Sequence, residues 1–113
     1  KQYFLHSCGK VEALMPALLD HVGIDAKHSF EDSVTPVTEF YDRYADRIGV
    51  LGGLDVDFLS RATEEEVRTR VRKVLRHCHP AGGYALGSGN SITNYIPVEN
   101  YLAMLDEGRR FSG

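Results

Sequence analysis

Short apolar runs alternate with longer stretches of helical spacing along this chain, and the alternation occurs four times. Residues 3–5 and their flanks read as a first strand that stops at Cys8-Gly9. Val11, Leu14, Met15, Leu18, Leu19 and Val22 then recur at three- and four-residue intervals, the spacing of a helix with one apolar stripe. Pro16, inside that pattern, is expected to kink the helix or mark the start of its regular part, and Gly23 to cap its end. Residues 24–28 form a second strand. Thr35 as cap and Pro36 at the first helical position open a second helix, with Val37, Phe40, Tyr41 and Tyr44 facing inward.

Residues 48–51 are a continuous apolar run of the kind buried on both faces, a third strand ending in Gly52-Gly53. A loop carries Asp55, Asp57 and Phe58. Thr63-Glu64-Glu65-Glu66 is then a capping box, and Val67, Val71, Val74, Leu75 and Cys78 hold helical spacing to a stop at Pro80 and Gly82-Gly83. Residues 84–86 make the fourth strand and residues 87–96 a long loop. Pro97 opens the last helix, whose inward face is expected at Tyr101, Leu102 and Leu105.

The pattern is α/β: a (βα)4 unit without a linker, one domain over residues 1–113. If strand order follows sequence order, right-handed crossovers put all the helices on one face of a parallel four-stranded sheet. That is half of a TIM (β/α)8 barrel, with helices on the outer face; a doubly wound sheet is the alternative. A whole barrel takes about 250 residues. Four strands leave two open edges and an uncovered inner face, which a second copy or an N-terminal half-barrel would have to cover.

Composition narrows the class. With 42% hydrophobic and 26% charged residues, the chain has the make-up of a soluble globular domain. A net charge of −3 supplies no broad basic field, so nucleic acid is not an expected partner. No apolar run approaches the roughly 20 residues that cross a bilayer, and the first residues lack the pattern of a signal peptide. The expectation is a cytoplasmic protein with no membrane partner, whose two cysteines, Cys8 and Cys78, stay thiols or metal ligands. The chain opens at Lys1, at the edge of a strand, as a fragment or processed product would.

In parallel α/β sheets ligands bind outside the carboxyl ends of the strands, so the polar clusters after the four strands should converge on one rim. His6 and Cys8, two residues apart at a strand end, point the same way and suit Zn2+, which needs at least a third protein ligand. Candidates for that third ligand are His28, Glu31, Asp55 and Asn90. Gly53, Asp55, Ser88, Gly89 and Asn90 are read as lining a bound cofactor: the glycines admit backbone close to a ligand, and the loop after the fourth strand is rich in hydroxyls and amides. His77, Cys78 and His79 fall at a helix end, on the opposite rim. There Cys78 continues the apolar stripe and the histidines face the helix dipole.

The order His6-Ser7-Cys8-Gly9, Gly23-Ile24-Asp25-Ala26, Gly52-Gly53-Leu54-Asp55, Gly82-Gly83-Tyr84, Gly87-Ser88-Gly89-Asn90 and Ile96-Pro97-Val98-Glu99-Asn100 resembles the C-terminal half of the uroporphyrinogen decarboxylase superfamily, over essentially the whole chain. That superfamily holds the decarboxylase of haem biosynthesis and the corrinoid-dependent methyltransferases, all built on a (β/α)8 barrel. The resemblance implies that this chain supplies strands five to eight. In the methyltransferases, H-x-C and a later cysteine bind a zinc ion that activates a thiol or similar acceptor. His6 and Cys8 match the first two ligands, and the later cysteine falls near Asn90. In the decarboxylases the last strand ends in Gly-His-Gly, and here the histidine position is Ser88.

The resemblance therefore leans toward corrinoid-dependent methyl transfer to a zinc-activated acceptor. The implied groups are zinc and a corrinoid or tetrapyrrole. The implied partners are a second copy in a homodimer, or an N-terminal half-barrel, and a corrinoid protein. With half the rim absent, an isolated chain is expected to be inactive or partner-dependent. The rivals are a tetrapyrrole decarboxylase segment and a non-catalytic, self-associating half-barrel.

Overall fold

The computed structural model describes residues 1–112. Four parallel strands form one sheet in sequence order: β1 (Phe4–His6), β2 (Ala26–His28), β3 (Gly49–Leu51) and β4 (Tyr84–Ala85). This order has no reversal of direction across the sheet, so the doubly wound alternative falls and the half-barrel layout stands. Register aligns His6 with His28 and His28 with Leu51, which in turn stands beside Ala85. Because side chains alternate along a strand, these four residues share one face.

The opposite face is the core. Val50 is fully buried and Lys27 nearly so, with Lys27 Nζ 5.2 Å from the ring centre of Phe40 in α2 (Val37–Tyr44). On the inner face Phe4, Ala26, Gly49, Leu51 and Ala85 line an open hollow. Helix α4 (Glu64–Cys78) forms as its sequence dictates. Thr63 accepts from the Glu66 N–H while the Glu66 carboxylate accepts from the Thr63 N–H, and Val67, Val71, Val74, Leu75 and Cys78 are buried.

Four expectations change. The first helical stretch is not one regular helix. It runs as a 3-10 turn at Glu12–Leu14, a short α1 (Met15–Ala17) and a wide π turn at Leu18–Val22, closed by Gly23 in the left-handed region. Winding first tighter and then wider than 3.6 residues per turn rotates the stripe off one face. Only Met15 is buried, and Leu14 and Val22 are exposed. Pro16 does sit at the start of the regular part.

Thr35 does not cap α2. Pro36, with an extended ψ of 146°, is the residue before the helix, and the Thr35 hydroxyl donates instead to Glu12 Oε1 at 2.5 Å. The segment after Asp55 is not a loop but α3 (Val56–Arg61), started by the Asp55 carboxylate accepting from the Phe58 N–H.

In α5 (Val98–Arg110) the buried face is Asn100, Ala103, Met104 and Glu107, while Leu102 and Leu105 are exposed. The spacing of those four is perfectly helical, but its two polar members hide it. Asn100 donates to the carbonyls of Leu59 and Ala62, and Glu107 accepts from Arg68 and Arg72 of α4. Polar groups are tolerated inside when every donor and acceptor is matched.

Candidate functional site

β1, β2 and β3 each stop where a glycine or polar residue follows, β4 stops directly before Leu86-Gly87, and the loops that leave the four strands meet at one rim. The loop after β4 does most of the gathering. It crosses the tip of β3, where Leu54 and Gly89 exchange backbone bonds with Gly87 and Leu54, and then the tip of β2, where the Phe30 N–H donates to the Gly89 carbonyl at 2.8 Å. The crossing is close enough to exclude side chains. A Cβ on Gly89 would lie 2.1 Å from the Phe30 carbonyl oxygen, and one on Gly52, whose φ is +82°, would lie 2.3 Å from the Ser88 oxygen.

That crossing delivers Asn90 to Cys8. The Asn90 amide nitrogen donates to Cys8 Sγ at 3.2 Å, and the Ser29 hydroxyl donates to the same sulfur at 3.5 Å. These two donors, Ser29 foremost, hold the Cys8 thiol below its ordinary pKa. Cys8 itself is solvent-exposed. Ser29 adopts φ +89°, the one non-glycine residue of the described chain in that region, and its carbonyl accepts from the buried Lys27 Nζ at 2.6 Å. Backbone held in a sparsely populated conformation clusters at functional sites. Lys27 also lies 4.1 Å from the centre of the Phe30 ring, and burial pushes its amine below the usual lysine value.

His6 and His28, paired across β1 and β2, approach Nδ1 to Nδ1 at 2.8 Å. His28 Nε2 lies 3.1 Å from the Ser88 carbonyl oxygen, and His6 Nε2 lies 3.9 Å from Cys8 Sγ. The rim thus joins His6, Cys8, His28, Ser29, Ser88 and Asn90 in one connected set.

The other candidate residues have local partners as well. Asp55 is buried; one oxygen accepts from the Asp32 N–H at 2.6 Å and the other caps α3, so it organises the loops behind the rim. Gly53 packs against Val37 of α2, away from the His6 row. The Ser88 hydroxyl donates to the Asn90 carbonyl. Glu31 and Asp55, with Asn90, Ser91 and Tyr95, border an open hollow beside the cluster. At the far end, His77 pairs with Asp42 at 2.6 Å, His79 packs on Phe111 and Cys78 is buried, so those three diverge. Sequence reasoning missed Lys27 and the part played by Ser29. The one available signal was a lysine in the middle of a strand destined for the core.

A zinc ion needs at least three protein donors. His6 Nε2 and Cys8 Sγ are two that face each other. Asn90 is not a third: its Oδ1 accepts from the Ser91 N–H at 2.8 Å, which fixes the amide with its N–H toward the sulfur. His28 faces the other nitrogen of His6. Among the described residues, no group of three or more His, Cys, Asp or Glu is disposed to hold a metal ion. Among the described residues the converging donors stop at two, His6 and Cys8, and do not make a zinc site by themselves. Among the described residues, too, no helix is long and apolar enough to cross a membrane.

Comparison with known proteins places the rim in context. The family model described as Uroporphyrinogen decarboxylase (URO-D) matches residues 1–111. A uroporphyrinogen decarboxylase from Alkalilimnicola ehrlichii is 30% identical over 102 residues, which are 90% of this chain and 26% of that protein. Among solved structures, a methyltransferase from Methanosarcina mazei superposes with a TM-score of 0.71 at 19% identity, over 97% of this chain and 31% of that one. The second likeness is one of fold. In both cases the chain spans less than a third of the relative's length.

Proposed function

Because the chain belongs to the uroporphyrinogen decarboxylase family, we propose that it is the C-terminal half of a methyltransferase-like barrel, in which a methyl group passes from a corrinoid to an acceptor at the rim around Cys8. The observation that carries this reading is the exposed Cys8 sulfur, faced by His6 and held by Asn90 and Ser29. Ser88, where the resemblance puts the decarboxylase histidine, supports the same choice. When bound, the corrinoid would supply the methyl group. The chain's own residues would position the acceptor beside the sulfur, with His6 Nε2 within reach of its proton. Zinc activation enters only with a third donor from beyond these residues, and no role assigned here depends on it.

Its complement would be another half-barrel, either an N-terminal half or a second copy. β1 and β4 are open edges of the sheet, and both flanks expose apolar side chains: Phe4, Leu14 and Val22 on one, Leu102 and Leu105 on the other. A corrinoid protein is the further partner this reading requires.

The test is methyl transfer from methylcobalamin to a thiol, followed by the absorbance of the demethylated corrinoid, using the chain joined to its complementary half. Transfer that falls about a hundredfold or more in Cys8→Ala supports the proposal. The 30% identity to a decarboxylase favours a second reading, decarboxylation of a tetrapyrrole. Uroporphyrinogen turnover with no methyl transfer would replace the first reading with the second.

A further inference from the structure

The hydrogen-bond chain at the rim has a direction, and the direction assigns protons. The Ser88 carbonyl oxygen can only accept, so His28 Nε2, 3.1 Å away, carries a hydrogen. In a neutral ring the other nitrogen is then a lone pair, so His28 Nδ1 accepts, and its partner at 2.8 Å, His6 Nδ1, must be the donor. His6 Nε2 is left with its lone pair, aimed at Cys8 Sγ at 3.9 Å. The same sulfur accepts from the two donors Asn90 and Ser29, placed to hold a negative charge. A nucleophile, a base within reach of it and a third group orienting the base are the parts of an activated nucleophile, and separations of this kind are often loose before substrate binds. The same geometry is what denies zinc its third donor, because Asn90 presents a hydrogen where a ligand would present a lone pair.

We propose that Cys8 is a metal-independent nucleophile, with His6 as its base and His28 as the positioning residue that fixes the base's tautomer; its substrate class is a soft carbon electrophile, such as an activated methyl or other alkyl group. In the step, the Cys8 sulfur forms a bond to carbon while the bond from that carbon to its leaving group breaks. The bonding pair departs with the leaving group, and the thiol proton passes to His6 Nε2. The product is a thioether on Cys8. The charge gained by His6 is shared along its Nδ1–H bond to His28, which the Ser88 carbonyl holds in place. This deepens the reading of the rim as a group-transfer site, yet its test needs neither corrinoid nor complementary half.

The test uses iodoacetamide on the 113-residue chain, treated with a chelator and followed by peptide mass, together with long-range proton–nitrogen NMR of the histidine rings at mildly alkaline pH. The expected result is alkylation of Cys8 at neutral pH about tenfold or more faster than that of a free cysteine derivative, with His6 protonated on Nδ1. His28→Phe should lose both the rate advantage and the Nδ1–H tautomer. His28→Gln, whose amide can accept from His6 and donate to Ser88, should restore both. A Cys8 no faster than free cysteine overturns the nucleophile. An unchanged tautomer and rate in His28→Phe overturn the role of His28. Stoichiometric zinc that binds tightly and protects Cys8 from alkylation overturns metal independence. Fast alkylation with no methyl transfer in the corrinoid assay would leave this proposal standing and remove the one before it.

Discussion

Asn90 Nδ2 lies 3.2 Å from Cys8 Sγ, although 82 residues separate them and they follow strands at opposite edges of the sheet. The contact exists because the loop after β4 runs across the tips of β3 and β2, and that path is open only without side chains at its closest points. Gly89→Ala puts a methyl group against the Phe30 carbonyl. It should destabilise the chain by about 1–3 kcal/mol in urea unfolding and slow alkylation of Cys8. A variant as stable and as reactive as the parent would show that the loop has another route.

The buried face of α5 makes a paired prediction. Met104 is almost completely buried, whereas Leu102 is 54% exposed. Met104→Ala should cost about 2–5 kcal/mol and Leu102→Ala no more than about 0.5 kcal/mol, measured by urea midpoints of the isolated chain. Equal losses would return the face to the leucines.

Thr63 starts the longest helix by a reciprocal pair of bonds with Glu66. Thr63→Ala should lower stability by about 1 kcal/mol. Because the Thr63 backbone and hydroxyl hold the Glu66 carboxyl below its ordinary value, part of that loss should vanish once acid has protonated Glu66. A loss that does not change with pH would mean that only the hydroxyl matters.

Glu107 accepts from both Arg72 and Arg68, and these bonds hold its carboxyl below the usual glutamate range. A depressed value in the folded state means that the stabilisation is present above the unfolded glutamate pKa of about 4.3 and is lost as pH falls through the folded value. Glu107→Gln should therefore be less stable than the parent at neutral pH, with the gap closing as the solution is acidified. Denaturant titrations across that range would show it; a constant gap would mean that packing, not charge, sets the difference.

The two cysteines should differ sharply. Burial pushes the Cys78 thiol up to about 12, while the exposed Cys8 is lowered by its hydrogen bonds. Iodoacetamide should label one site per native chain, and both only after unfolding. Early labelling of Cys78 would mean that the end of α4 opens readily.

Much of this was readable from one dimension. The four apolar runs are the four strands, the capping box at Thr63 starts α4, Gly23 ends the first helical stretch in the left-handed region, and the polar clusters after the strands do share a rim. These features depend on near neighbours: a period of two or of 3.6, or a cap three residues from its partner, is written in a few consecutive positions. What failed was long-range. The buried face of α5 is invisible to periodicity because Asn100 and Glu107 are held inside by partners 35 to 41 residues away. The stripe of the first helix is lost because the backbone winds as a 3-10 turn and then as a π turn, which a 3.6-residue period does not anticipate.

The chain alone settled which residue types stand at each strand end, and so placed His6, Cys8 and Asn90 among the candidates. The tertiary structure decided what they do to one another. It set His28 against the far nitrogen of His6, fixed the Asn90 amide through Ser91 so that a hydrogen faces the sulfur, and turned Lys27 into the core to hold the carbonyl of Ser29. Composition and spacing say which atoms can donate or accept. Only their positions in space say which of them does, because a hydrogen bond has a direction that the order of residues does not carry.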